Sequence, residues 1–172
     1  MVSETSIKTT GTDQLEPFDE FFRREYRPVL AIAFALTGRR AEAEELTMET
    51  FEAALRHWDS ATMSQPGAWV RRVVSNKAVS RFRRTAVEAR ALARLANDRS
   101  QGGFELADEE SMDLWNAVRR LPARQAQVVV LFYVGGCSRS EVAELLDIKD
   151  ETVKTHLERG WERLRKELET GR

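Results

Sequence analysis

A chain of 172 residues that is 42% apolar and 32% charged can bury a core, as one domain or two small ones, and is not globally disordered. Its 27 Lys/Arg and 28 Asp/Glu leave a formal charge of -1, a total that argues against a simple polycation coating nucleic acid. The longest apolar run, Val29 to Leu36, is far shorter than the roughly 20 residues of a membrane-spanning helix, and Met1-Val2-Ser3-Glu4-Thr5 does not open a secretory signal. With Cys137 as its single cysteine, the chain has no internal disulfide or cysteine-rich zinc site, and the cytoplasm is its expected location.

Four prolines and nine glycines among many Ala, Leu, Glu and Arg, without period-two alternation, predict an all-α fold. Residues 1–14 are polar and aperiodic and are read as a disordered N-terminus. From Pro17, the residues Phe18, Phe21, Phe22, Tyr26, Val29, Leu30, Ala33 and Leu36 recur at helical intervals, and Thr37-Gly38 ends that helix. A second helix is predicted from about Ala41 to Trp58, with Met48, Phe51, Leu55 and Trp58 on an apolar face and Glu42, Glu45, Glu49 and Glu52 on an acidic one.

Asp59 to Gly67 reads as a loop, and Pro66 opens a third helix through Trp69, Val70, Val73, Val74 and Ala78 into Arg81-Phe82-Arg83-Arg84. Gln101 to Ser111, with Gly102-Gly103 followed by acids, reads as a linker. A helix from about Met112 to Arg120 stops at Leu121-Pro122, and Arg124 to Val134 forms another that ends at Gly135-Gly136. Ser138-Arg139-Ser140-Glu141 is a capping box, in which hydroxyl and carboxylate each satisfy a free backbone N–H. The short helix it opens is followed by Asp147-Ile148-Lys149 and by a last helix with Val153, Leu157, Trp161, Leu164 and Leu168 in its stripe. A capped short helix, a tight turn and a longer amphipathic helix match a helix-turn-helix, although the spacing alone fits a plain helical hairpin equally well.

Charge is distributed in blocks. Residues 70–94 hold Arg71, Arg72, Lys77, Arg81, Arg83, Arg84, Arg90 and Arg94 against Glu88 alone, whereas residues 98–114 are acidic apart from Arg99. Blocks of this kind point to partners. The basic block, with Trp69 and Phe82 interleaved, has the composition of a single-strand binder, where cations follow phosphates and rings stack on bases; the alternative packs both rings in the core. In the last helix Thr152, Lys154, Thr155, His156, Glu158 and Arg159 face away from the apolar stripe and would line a major groove. His57 and His156 lie far apart, and without a phosphate loop or nucleophile motif the chain is expected to be no enzyme and to hold no metal or cofactor. Cys137 is read as a packed thiol.

Three stretches together resemble the small two-domain extracytoplasmic-function sigma factors of bacterial RNA polymerase, in the form common among actinobacteria. Ala43-Glu44-Glu45-Leu46-Thr47-Met48-Glu49-Thr50-Phe51 resembles that family's core-binding helix. Pro66 through Arg84 is similar to its segment that melts and reads the minus-ten element. Leu121-Pro122 through Val134, Ser138 to Leu146 and Thr152 to Gly160 resemble the region that reads the minus-thirty-five element.

The resemblance implies two small helical domains, at 15–96 and 112–172, joined by a flexible acidic linker at 97–111. It implies that Glu45, Met48, Glu49 and Glu52 dock on the clamp helices of the largest polymerase subunit, and that the C-terminal domain sits on the flap of the second-largest. Trp69, Arg72, Asn76, Lys77, Arg81, Arg83 and Arg84 would hold the minus-ten strand, with a flipped base received by the loop from about Asp59 to Gln65. Thr152, Lys154, Thr155, His156 and Arg159 would meet the minus-thirty-five duplex, the acidic linker would run toward the RNA exit path, and an anti-sigma protein is a possible further partner.

The chain departs from the family at Met48, where glutamine is usual, and at Asp147, where glycine is usual. Lys149 replaces the usual serine cap, so that Asp150 is expected to cap the last helix and move its start by one; Glu158 puts an acid on the DNA face. Two other readings compete: a duplex-binding regulator that uses the helix-turn-helix without polymerase, and a helical interaction module with no nucleic-acid role.

Overall fold

The structure, a computed structural model, describes residues 16–58, 64–92 and 109–170, without the side chains of residues 82, 83, 85–92, 109–112 and 170. The predicted N-terminus 1–14, most of the Asp59–Gln65 loop and residues 97–108 of the predicted linker lie outside the described residues. What is described is helical: α1 Phe18–Thr37, α2 Arg40–Arg56, α3 Pro66–Leu92, α4 Glu109–Arg120, α5 Ala123–Tyr133, α6 Arg139–Leu146 and α7 Asp150–Thr170. No helix among these residues is long and apolar enough to cross a membrane. The fourth helix starts at Glu109, three residues before the predicted Met112.

In the N-terminal half α1, α2 and α3 pack on one another around an aromatic cluster. Phe21 lies 4.7 Å from Trp58 and 5.8 Å from Phe51, and Phe22 meets Phe51 edge-on at 4.8 Å. Offset and edge-on ring pairs of this kind add about 0.5–1.5 kcal/mol each beyond their burial. Arg71 of α3 is spent on structure: its Nη2 donates to Oε2 of buried Glu25 at 2.8 Å, which supplies the partner a buried carboxylate requires.

Two positions predicted for the apolar face of α2 are on its other side. Met48 is 44% exposed and Leu55 55%, while Ala43, Leu46, Thr47, Thr50, Phe51 and Ala54 are buried. At 3.6 residues per turn Phe51 sits at the edge of the buried face rather than at its centre, so a stripe extrapolated through Phe51 to Met48 and Leu55 runs onto the outer surface.

In the C-terminal half α5 lies between α4, α6 and α7. The buried stripe of α7 is Val153, Leu157, Gly160 and Leu164, and not the predicted line through Trp161. The two helices approach closely at Gly160, where a Cβ would stand 2.9 Å from Val129 Cγ2. Trp161 is thereby turned outward to 49% exposure, donating its indole N–H to Tyr133 Oη at 2.5 Å.

The halves also pack against each other. Helix α1 touches α4 and α5, and α3 touches α5 and α6, so the buried apolar side chains form one continuous cluster. Gln127 of α5, fully buried, donates through Nε2 to Asn76 Oδ1 at 2.7 Å and Ser75 Oγ at 3.1 Å, both on α3. Arg119 of α4 lies over the turn that ends α1: a Cβ on Gly38, whose φ is +73°, would stand 2.6 Å from the guanidinium carbon. Cys137 is buried as a packed thiol, and burial pushes its pKa up.

Gly38 answers to both constraints, so Gly38→Ala is expected to cost about 1–2 kcal/mol in urea unfolding, from left-handed strain and displacement of Arg119. Loss of less than about 0.3 kcal/mol would show that neither constraint operates.

Candidate polymerase and promoter surfaces

The outer face of α2 holds Glu45, Met48 and Glu52, with Leu55 beside them, all exposed. Exposed apolar side chains between carboxylates are a surface that a complementary partner can desiccate and pair. Leu55, which the sequence pattern assigned to the core, is exposed on this same face.

On α3 the predicted minus-ten residues divide into two groups. Arg72 and Asn76 are exposed one helical turn apart, with partly buried Trp69 packed on the core behind them. Arg72 and Arg84 are exposed and make no ion pair among the described residues. Lys77 and Arg81, one turn apart on an adjoining face, point at α2 instead. Lys77 Nζ donates to Glu49 Oε2 at 2.6 Å, and Arg81 Nη1 donates to Glu45 Oε2 at 3.1 Å. The Arg81 guanidinium also stands 3.5 Å from Glu49 and 4.0 Å from Glu42. The hydrogen bond from Lys77 holds the Glu49 carboxyl below its ordinary value, against partial burial that would raise it. The Arg83 side chain lies outside the described residues.

The helix-turn-helix forms as predicted. Glu141 N–H donates to Ser138 Oγ at 3.3 Å and Ser138 N–H donates to Glu141 Oε2 at 2.7 Å, completing the capping box. Asp147 adopts the left-handed conformation, φ 52°, while its own N–H donates to the Glu144 carbonyl and that of Ile148 to the Ala143 carbonyl. Asp150 does not cap α7. The Lys149 carbonyl accepts from the N–H groups of Thr152 and Val153, and the Asp150 carboxylate instead takes the Arg139 guanidinium at 2.5 Å, tying the start of α6 to the start of α7. The helix starts at Asp150, with Lys149 in the cap position.

Of the predicted duplex-facing residues, Lys154 and Arg159 are exposed and Thr152, Thr155 and His156 half-buried. Lys154 lies 3.7 Å from Glu151, and Thr155 Oγ1 donates back to the Glu151 carbonyl at 3.0 Å. His156 differs from the others: its Nδ1 is buried without a hydrogen-bond partner, and burial first, then Arg124 and Arg159, push its pKa down. With its pKa lowered, the imidazole is neutral at pH 7 and adds no charge to this face.

Residues 21–87 match the family described as Sigma-70 region 2, and residues 111–164 that described as Sigma-70, region 4. The chain thus has the two-region build of a sigma-70-type transcription initiation subunit. It is 30% identical to the ECF RNA polymerase sigma factor SigE of Mycolicibacterium smegmatis, over 94% of this chain and 69% of that one. To SigW of Bacillus subtilis it is 29% identical, over 98% and 97% of the two chains. The fold is similar to that of the sigma factor RpoE in its complex with the anti-sigma factor NepR from Bartonella quintana, with a TM-score of 0.72 at 22% identity over 90% and 98% of the chains. The chain belongs to the ECF RNA polymerase sigma factors.

His156 sets a pH dependence. Its folded-state pKa lies below the unfolded value near 6.5, so the unfolded chain binds the extra proton and stability falls as pH drops through that value. In His156→Gln the acid-side loss between pH 7 and 5.5 is expected to shrink in thermal melts; an unchanged loss would place its origin elsewhere.

Proposed function

We propose that this chain, an ECF sigma factor of the actinobacterial type, acts in the cytoplasm as a promoter-specificity subunit: it binds core RNA polymerase and directs initiation at its own promoters. The observation that carries this is the matched order of the two regions on one chain, with an open acidic-apolar face on α2 and a formed helix-turn-helix at α6–α7.

In this reading residues 15–96 bind core and the minus-ten element, 97–111 link, and 112–172 read the minus-thirty-five element. Glu45, Met48, Glu49, Glu52 and Leu55 dock on the clamp helices of the largest subunit, and the C-terminal half sits on the flap of the second-largest. Trp69, Arg72, Asn76 and Arg84, with Arg83, hold the melted strand, where phosphate contacts and stacking offset an unstacking cost of a few kcal/mol per base. Lys154 and Arg159 meet phosphates, while Thr152, Thr155 and His156 present hydrogen-bonding groups to base edges. An anti-sigma protein is a further proposed partner, and the fold's likeness to RpoE bound to NepR supports it.

Reading both elements at once demands that the halves separate. The elements lie about 25 base pairs apart, or about 85 Å of duplex, whereas a compact chain of this length is roughly 40 Å across. The competing reading, a regulator that binds duplex without polymerase, leaves the region 2 match over 21–87 without a role.

Transcription in vitro with core enzyme and a genomic promoter library is expected to yield discrete start sites that require this chain; failure to bind core at all would refute the proposal. Met48→Asp/Leu55→Asp, both at exposed positions, is expected to keep the fold and to weaken core binding by roughly tenfold or more. Unchanged affinity would remove α2 from the interface.

A further inference from the structure

The charge pairs between α2 and α3 join two sets of residues that the proposed function assigns to different partners. Glu45 and Glu49 belong to the polymerase-facing helix, and Lys77 and Arg81 to the strand-binding helix. In this structure they are each other's partners: Lys77 Nζ is 2.6 Å from Glu49, and Arg81 meets Glu45 at 3.1 Å, Glu49 at 3.5 Å and Glu42 at 4.0 Å. Glu49 bridges the two cations, and all four groups are half-buried except the exposed Glu45.

A cation held this way is a poor phosphate ligand, because taking a phosphate means breaking an existing pair and leaving a carboxylate close to the incoming anion. The same carboxylates are where a cationic protein surface would bind. A partner that supplied its own Lys or Arg to Glu45 and Glu49 would release Lys77 and Arg81 at no net loss of pairing. We propose that Glu49, with Glu45 and Glu42, withholds Lys77 and Arg81 from single-stranded DNA in the free chain, and that engagement of these carboxylates by a cationic face of core polymerase frees both cations for the melted strand. The coupling is reciprocal: a strand that draws off Lys77 and Arg81 leaves the carboxylates more available to polymerase. Arg72 and Arg84, exposed and outside this network, supply the free chain's residual affinity.

This inference rests on the sigma-factor reading, but its test does not need polymerase. Binding of the full chain to a fluorescein-labelled thymidine dodecamer is measured by anisotropy across a salt series, for wild type, Glu49→Gln and Glu20→Gln. Glu20 is exposed on α1, and its variant removes the same charge outside the network. Glu49→Gln is expected to bind roughly three- to tenfold tighter than Glu20→Gln, with a salt slope steeper by about 0.7 for each cation freed. Adding Lys77→Gln to Glu49→Gln is expected to abolish most of that gain, whereas Lys77→Gln alone leaves the free chain's binding nearly unchanged. Circular dichroism confirms the helical fold of each variant, and should Glu49→Gln not fold, Glu45→Gln replaces it with the same expected direction through Arg81. Equal affinities for the Glu49→Gln and Glu20→Gln chains, or a large loss from Lys77→Gln alone, would overturn the inference. Equal affinities together with normal promoter-directed transcription would leave the sigma-factor reading intact; the expected gain together with no core binding would reject that reading and keep the pairing.

Discussion

The apolar run Val29–Leu36 governs the arrangement of the whole molecule. A helix that is apolar on all sides is stable in water only if it is covered on all sides. Here Val29, Leu30, Ile32, Ala33, Phe34, Ala35 and Leu36 are all buried, because α2 and α3 cover one flank of α1 while α4 and α5 cover another. Fully burying a Val, Leu, Ile or Phe side chain is worth about 1.5–3 kcal/mol, so moving the halves apart exposes surface that must be compensated by new contacts. In the proposed function the packed chain is a holding state, and a partner that binds either half only when it is separated must supply the difference.

The same economy governs the charges. The neutral total of this chain is not an average over remote blocks, because part of the acidic α2 face and part of the basic α3 face are in contact, cation to carboxylate. An amide pair repeats the pattern: exposed Asn76 of α3 accepts, through its side-chain carbonyl oxygen, from buried Gln127 of the opposite half. Groups that the proposed function assigns to DNA and to polymerase thus satisfy one another in this structure. Among the described residues of the basic block 70–94, Arg71, Lys77 and Arg81 are paired with carboxylates in this way.

Much of the fold was legible because its signals are local. The start of α3 at Pro66, the capping box at Ser138 and Glu141, the left-handed Asp147 and the stop at Gly38 each depend on a few neighbouring residues. What could not be read was set by tertiary contact. Whether Met48 and Leu55 face in or out depends on where α2 lies against α1 and α3, and Trp161 is turned out by the close approach at Gly160. Asp150 is drawn from its cap to Arg139, eleven residues away, and Lys77 finds Glu49 across twenty-eight. In the proposed site the residue types were legible but their present partners were not, since a sequence shows which groups carry charge and not which are already paired.

The central claim, that the halves are packed together in the free chain and part on the promoter, is open to a distance measurement. Spin labels at Glu20→Cys and Glu144→Cys, both exposed, in a chain carrying Cys137→Ala, report the separation of α1 from α6. The account predicts one narrow distribution below roughly 40 Å for the free chain, and a lengthening by tens of ångströms in the complex with core polymerase and promoter DNA. A broad, long distribution in the free chain, or the same short distance in both states, would contradict it.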